Sequence, residues 1–142
     1  MELREISLEE LDRFAGSQPN SQLLQSAGWS KFQKSVGRQT WSLGVFWDDE
    51  LKATASVIGH RLPLSKSYLY CPRGPVFENK LAEEEKTEAL KLILSKARDL
   101  TIRTKSSEEI FFRLEPAEKI NLPLCPTRGI QPPTTLLLGL EP

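Results

Sequence analysis

The sequence predicts a mixed α/β domain in which helices pack on a mostly antiparallel sheet. Two amphipathic helix patterns come first, three strand patterns joined by short turns follow, and a long helix then leads into a further strand. Strands joined by short turns pair antiparallel, whereas a helix between two strands is typical of a crossover connection. The length of 142 residues suits a single domain with a real core.

The first helix is predicted to begin at Ser7 and to end at Gly16. Ser7 is followed three residues later by Glu10, which is the pattern of a capping box. The apolar positions fall on one helical face: Leu8, Leu11, Phe14 and Ala15.

The second helix is predicted between an N-cap at Ser26 and a terminating glycine at Gly37. Its apolar residues recur at helical spacing and predict the face that packs on the sheet: Trp29, Phe32 and Val36. Its cations are predicted to project from the other sides: Lys31, Lys34 and Arg38.

Residues 39–47 and 51–62 alternate apolar and polar side chains, which predicts an antiparallel hairpin with its turn at residues 48–50. One face of the first strand carries Trp41, Leu43, Val45 and Trp47. One face of the second carries Leu51, Ala53, Ala55 and Val57. Pro63 ends the second strand, and a third strand over residues 67–71 runs into the loop Pro-Arg-Gly-Pro at 72–75.

The longest helix is predicted over residues 82–101. Its apolar stripe consists of Leu90, Ile93, Leu94, Ala97 and Leu100. A continuously apolar core predicts a buried strand over residues 109–116. Residues 117–133 are rich in proline and predict irregular structure, and a last strand is expected over residues 134–140.

Composition narrows the function classes. Nineteen basic residues balance nineteen acidic ones, so any anion site must be a local cluster. Aromatic residues are not interleaved with a basic stripe, which argues against a platform for single-stranded nucleic acid. The N-terminus lacks the pattern of a signal peptide and no apolar run approaches about 20 residues, so a cytoplasmic protein without a transmembrane segment is expected.

Motifs for common cofactors are missing from the sequence. There is no GxxxxGK[ST], no GxGxxG after a strand, no HExxH and no CxxC, so neither a cofactor nor a metal is expected. Cys71 and Cys125 are expected to be free thiols in a reducing compartment. His60, the single histidine, falls in a strand pattern and is interpreted as an ordinary strand residue.

Four stretches between residues 23 and 140 carry a recognisable pattern: LLQSAGWSKFQKSVGR from residue 23, WSLGVFWDDELKATASVIGHRLPLSKSYLYCPRGPVFE from residue 41, FFRLEP from residue 111 and IQPPTTLLLGL from residue 130. In this order they resemble the FemABX family of peptidoglycan bridge-forming aminoacyltransferases. The most specific signal is YxPRGPV followed later by QPxxT. Gly139 departs from the family's pattern, where an aspartate is usual.

The resemblance implies a fold of two lobes, each like an N-acetyltransferase (GNAT-like). Residues 1–142 would form a single GNAT-like lobe, the first one, with the second lobe absent from the chain. The implied activity is transfer of an amino acid from aminoacyl-tRNA to the stem peptide of a peptidoglycan precursor, in interpeptide bridge formation. Because the second lobe supplies much of the tRNA side in the family, the isolated lobe is expected to be inactive alone.

The resemblance also implies partners and a location. The acceptor would be a lipid-linked or nucleotide-linked muropeptide, the donor aminoacyl-tRNA bound through a second lobe, and a separate second-lobe protein is one way to complete the enzyme. Peripheral association with the inner face of the membrane is a further expectation. Two alternatives stay open: a non-catalytic half-domain that binds a precursor or another partner, and a CoA-dependent N-acetyltransferase, although the glycine-rich loop of the latter is missing.

Five residues are candidates for the site. Lys31 and Arg73 would bind the precursor's phosphates, and Gly74 would let the backbone approach the ligand. Tyr70 would hydrogen-bond the precursor, and Glu78 would hold or accept the proton of the attacking amine. The four side chains among them have structural alternatives: a solvated helix lysine, an arginine that caps a turn, a packed tyrosine, and a helix N-terminal carboxylate.

Overall fold

The computed structural model describes residues 1–103, 108–117 and 123–131. The strands in these ranges are β1 Glu2–Glu5, β2 Thr40–Trp47, β3 Glu50–Leu62, β4 Lys66–Cys71, β5 Val76–Phe77 and β6 Glu108–Leu114. The helices are α1 Leu8–Ser17, a short 3₁₀ helix Leu23–Gln25, α2 Ala27–Ser35 and α3 Glu83–Arg103. The predicted last strand over residues 134–140 lies outside the described residues.

The strands form one mixed sheet in the order β1-β2-β3-β4-β6, with β5 paired to β3. Every pairing is antiparallel except that of β4 with β6, which is parallel. The helix α3 makes the crossover that leads to β6. The predicted mixed class with a mostly antiparallel sheet is therefore confirmed.

The core lies between α3 and one face of the sheet. The apolar stripe of α3 packs against the alternate residues of β2, β3 and β4 on this face. Of the five stripe residues predicted, four are buried and Leu94 is half-buried. The buried members of this cluster are Leu43, Val45, Ala53, Ala55, Val57, Leu69, Cys71, Phe77, Leu81, Ala89, Ile93, Ala97 and Leu100.

The opposite face of the sheet is covered by α1, the 3₁₀ helix and α2. This second layer buries polar side chains as well as apolar ones: Gln25, Ser30 and Ser56 are fully buried, and Gln25 and Ser30 each hydrogen-bond Ser56. The polar side of the β3 alternation therefore faces helices, and its hydrogen bonds fix where α2 sits.

The predicted starts of α1 and α2 are confirmed. The Ser7 Oγ accepts from the backbone N–H of Glu10, whose carboxylate accepts from the backbone N–H of Ser7. The Ser26 Oγ accepts from the N–H of Trp29 at 3.1 Å. The predicted end of α1 at Gly16 is wrong by one residue, because the helix runs through Ser17.

The predicted apolar face of α2 is wrong. Phe32 is 51% exposed and Val36 is 54% exposed, and the sheet is instead covered by Ala27, Ser30 and Gln33. Small and amide side chains allow the helix to lie close to β3 and to hydrogen-bond there. The polar contact, which periodicity does not detect, determines the rotation of the helix.

A β-bulge in β3 corrects the predicted hairpin faces. Val45 pairs with Ala53, but Phe46 pairs with Leu51, so Lys52 is the extra residue. The bulge moves Leu51 to the face of its partner Phe46, away from the core face on which the alternation placed it.

Two strands are not predicted from the sequence. β1 is only four residues long and carries charges at three of them, and β5 has two residues after a proline. Both are strands because they pair with longer neighbours, β1 with β2 and β5 with β3. Local propensity alone would not assign either.

β6 is present, but the prediction that it is buried throughout is wrong at Phe111, which is 45% exposed. Phe111 lies on the face of Tyr68 and stacks on that ring at 4.8 Å. Within residues 1–103, 108–117 and 123–131, no helix has both the length and the apolar character that spanning a bilayer requires.

Candidate functional site

The Pro72–Pro75 loop leaves β4 and returns the chain to β5. Arg73 adopts a left-handed backbone conformation with φ of 52°, and the Gly74–Pro75 peptide bond is cis. A left-handed non-glycine residue costs on the order of 1–2 kcal/mol, so the surrounding contacts must hold this loop in place. Arg73 is half-buried and lines a small hollow together with Asn20, Pro75, Val76, Phe77 and Ala117.

Gln25 supplies the main hold on this loop. The side chain is fully buried, and its Nε2 donates to the carbonyl of Pro72 at 2.6 Å. Its Oε1 accepts from the backbone N–H of Ser56 at 2.8 Å. The amide therefore joins the loop to the middle of β3.

Gly74 leaves room for this amide. A Cβ built on Gly74 would lie 2.5 Å from Cδ of Gln25 and 2.6 Å from both terminal atoms of the amide. Glycine at this position is therefore explained by packing against Gln25. The sequence prediction that Gly74 lets the backbone approach a ligand stays a prediction.

Tyr70 is buried, and its hydroxyl donates to the Glu115 carboxylate at 2.6 Å. Burial, followed by the neighbouring carboxylate, raises the pKa of Tyr70 above its ordinary value. Since the hydroxyl proton is donated to Glu115, the Tyr70 oxygen can only accept further hydrogen bonds, and the Gln131 side chain already supplies one.

Glu115 connects the sheet to the segment that precedes Gln131. Its carboxylate accepts from Tyr70, from the backbone N–H groups of Ile130 at 2.5 Å and Gln131 at 3.3 Å, and from Arg113 at 3.4 Å. Burial opposes the charge, but the hydrogen bonds outweigh it and lower the pKa of Glu115 below its ordinary value.

Glu78 follows β5 and is paired with the bulge residue Lys52. The Lys52 Nζ lies 3.1 Å from Oε2 of Glu78 and 2.8 Å from Oε2 of Glu50. The hydrogen bonds to Glu50 and then Glu78 raise the pKa of Lys52, so the ammonium stays charged at neutral pH. The bulge thus supplies a cation beside the candidate carboxylate.

Lys31 lies on α2 with its side chain exposed. The preceding residue, Ser30, faces the sheet and shares a hydrogen bond of 2.8 Å with the hydroxyl of Ser56. Because Gln25 holds the backbone of the same Ser56, α2 and the Arg73 loop are fixed to one point of β3.

The histidine forms part of an aromatic row across three strands. The His60 ring stacks on Tyr68 at 4.9 Å, and Tyr68 stacks on Phe111 at 4.8 Å. Burial, followed by the charge of Arg38, lowers the pKa of His60. The sequence interpretation of His60 as a strand residue agrees with its place in β3.

The structure places Tyr70, Arg73 and Gly74 at the end of β4, and Lys31 on α2, the helix that Ser30 ties to β3. Glu78 lies apart from them, beside the start of β3, where it pairs with Lys52. Because it follows Arg73 by only five positions, the distance between the two Cα atoms is at most about 17 Å. Sequence reasoning assigned no role to Gln25 or Glu115. The signal that could have found them is the family resemblance, because Gln25 falls in LLQSAGWSKFQKSVGR and Glu115 in FFRLEP.

Comparison with known proteins identifies the family of the chain. The model of the FemAB family matches residues 6–121. Lipid II:glycine glycyltransferases of Staphylococcus aureus, from strains bovine RF122 / ET3-1 and MRSA252, are each 27% identical over 124 residues, which is 85% of this chain and 27% of theirs.

A crystal structure of FemX superposes with a TM-score of 0.62 at 29% identity, over 75% of this chain and 25% of that chain. The chain thus spans about a quarter of the length of the relatives it matches. Since the family model covers most of its length, the chain belongs to the FemAB family.

Proposed function

We propose that this chain is the acceptor-binding lobe of an aminoacyltransferase that adds an amino acid to the stem peptide of a peptidoglycan precursor. The donor is aminoacyl-tRNA, bound mainly by a second lobe, and residues 1–142 correspond to the first, GNAT-like lobe. The similarity to lipid II:glycine glycyltransferases supports a lipid-linked acceptor, and with it a cytoplasmic protein at the inner face of the membrane.

The geometry of the Arg73 loop is the observation that carries the proposal. A guanidinium presents donors in a rigid fork that matches phosphate oxygens, and its usefulness depends on a fixed backbone. Here two prolines, a left-handed Arg73 and the buried amide of Gln25 supply that backbone. Lys31 on α2 adds a second cation, which acts as a point charge on the phosphates of the same precursor.

The reaction needs no covalent enzyme intermediate. An ester of aminoacyl-tRNA and a positioned amine react directly, so the protein contributes proximity and stabilisation of charge in the transition state. Glu78 holds the acceptor's ammonium and receives its proton before attack, while Lys52 keeps the Glu78 carboxylate oriented. The Tyr70 oxygen accepts a hydrogen bond from the acceptor, because its own proton is donated to Glu115.

Mixing the chain with aminoacyl-tRNA and a muramyl pentapeptide precursor tests the proposal by mass spectrometry. We expect no extended stem peptide from the chain alone and an extended one when a second-lobe protein is added. Arg73→Ala should then reduce product formation at least tenfold, whereas Lys91→Ala on the far helix α3 should not. Failure of the wild-type chain to bind precursor, together with binding of acetyl-CoA in calorimetry, would favour the acetyltransferase alternative instead.

A further inference from the structure

We infer that Gln25 is the positioning residue of the Arg73 loop: its amide fixes the backbone from which the guanidinium reaches an acceptor phosphate. The inference rests on the proposed function for the identity of the ligand. The hold on the loop, however, is independent of any ligand and can be measured without one.

The Gln25 amide connects the loop to the centre of the sheet. Gln25 precedes α2, yet its hydrogen-bond partners lie 31 and 47 residues further along the chain, in β3 and in the loop. The β3 end of the connection is rigid, because Ser56 is fully buried and lies in the centre of the sheet. Residues 72–75 lie in no strand. Gln25 therefore holds this loop in a fixed position relative to β3.

The hydrogen bonds around residue 25 require an amide. A primary amide offers two N–H donors and one acceptor oxygen, and the surroundings of Gln25 use both kinds. Beyond the bond to the Pro72 carbonyl, Nε2 contacts the Ser56 carbonyl at 3.3 Å and Sγ of Cys71 at 3.6 Å. A methionine of similar length would fill the space but could make none of these donor contacts.

Gln25 also restrains the loop sterically. The amide occupies the space that a Cβ on Gly74 would need, so it bounds the position of residue 74 from one side. Arg73 immediately precedes it with φ of 52°. A shift of the amide would therefore move the peptide unit that carries the arginine, and the direction of the guanidinium would change with it.

A purely structural role would also make Gln25 important, because losing a buried hydrogen bond lowers stability wherever it occurs. Ser30→Ala is the matched control. It removes the 2.8 Å hydrogen bond to the Ser56 hydroxyl, on the same residue of β3, but touches nothing in the loop. The test variants are Gln25→Met, which keeps the volume, and Gly74→Ala, which pushes the amide away.

The first measurement is limited trypsin digestion, with cleavage at the Arg73–Gly74 bond followed by mass spectrometry at a temperature where circular dichroism shows every variant folded. We expect cleavage to be several-fold faster in Gln25→Met and Gly74→Ala than in the wild type, and unchanged in Ser30→Ala. Equal cleavage rates in Gln25→Met and Ser30→Ala would overturn the inference.

The second measurement is calorimetric binding of a nucleotide-linked muramyl pentapeptide. We expect affinity to fall about tenfold in both loop variants and by clearly less in Ser30→Ala, which loosens the helix of Lys31 but leaves the loop in place. An equal loss in all three would reduce Gln25 to a structural residue. If the wild type binds no precursor while Gln25→Met still exposes Arg73 to trypsin, the proposed function fails, and the positioning of Arg73 by Gln25 remains.

Discussion

The Glu115 side chain joins three parts of the fold through hydrogen bonds. Its carboxylate receives hydrogen bonds from β4, β6 and the segment around Ile130, and these bonds hold its pKa below the ordinary value in spite of burial. A carboxyl whose folded pKa is depressed binds fewer protons in the folded state than in the unfolded one. Its stabilising contribution is therefore complete above the unfolded pKa and is lost as the pH falls through the folded pKa.

We predict that the free energy of unfolding in urea declines as the pH falls below about 5.5, and that Glu115→Gln reduces this decline. At neutral pH the substitution should cost about 1–3 kcal/mol, because it weakens charged hydrogen bonds at a mostly buried site. Glu88→Gln, on the exposed side of α3, should leave the slope unchanged. An identical pH slope in wild type and Glu115→Gln would contradict this account.

At this scale the sequence predicts local contacts well and distant ones poorly. The capping box of Ser7 with Glu10 was predictable, because both partners lie within one helical turn. The partners of Gln25 lie 31 or more residues away, and Tyr70 lies 45 residues from Glu115. Such pairs depend on the finished topology, so no local pattern can indicate them.

Among the elements, α2 shows the limits of periodicity. It begins where the sequence predicts, at a serine cap, but its rotation is set by Ser30 and Gln33, which face the sheet and are buried. The apolar stripe that periodicity selects is half-buried at Trp29 and exposed beyond it. Helix boundaries follow from local chemistry, whereas the buried face is chosen by the partner surface.

We predict that Ser26→Ala lowers the free energy of unfolding by about 1 kcal/mol. The Ser26 Oγ caps α2 through Trp29 and also donates to the carbonyl of Leu23 at 2.7 Å, so its loss loosens the junction with the 3₁₀ helix. Ser35→Ala is the control, since the Ser35 hydroxyl only bonds the carbonyl of Phe32 within the helix. Urea titration should separate the two variants, and equal effects would argue against the cap.

For the molecule as a whole, zero net charge conceals a local imbalance. No acidic residue occurs between Arg13 and Trp47, whereas Lys31, Lys34 and Arg38 lie within this stretch. An exposed cation cluster attracts a pyrophosphate over roughly one Debye length, which is about 10 Å at 0.1 M salt. A net charge of zero therefore does not exclude an anionic ligand. These three residues form the kind of local cluster that the sequence requires of any anion site.

We predict that precursor affinity falls as salt is raised from about 50 mM to about 500 mM, because screening shortens this range. Lys31→Ala should lower the affinity and also reduce its salt dependence, since one contributing charge is lost. Lys91→Ala should change neither value, because Lys91 is exposed on α3, across the sheet. The same salt slope in wild type and Lys31→Ala would argue against contact between Lys31 and phosphate.

The sheet topology was predictable to the extent that turn lengths dictate it. Short turns at residues 48–49 and 63–65 imply antiparallel neighbours, and the α3 crossover implies a parallel pair, as found for β4 and β6. β1 was not predicted because three of its four residues are charged, and β5 because its two strand formers, Val76 and Phe77, make too short a run to predict a strand. The bulge at Lys52 was not predictable, because apolar and polar residues alternate through it without interruption.

β1 has a consequence for the behaviour of the molecule in concentrated solution. In the part of the chain that the structure describes, it is the first strand of the sheet and pairs only with β2. Its outward positions carry Glu2, Arg4 and Glu5, and Arg4 also lies over the Phe46 ring. Charged side chains along such a margin oppose the addition of a strand from another molecule. We therefore expect the margin to resist growth of intermolecular sheets, even though its backbone groups could form them.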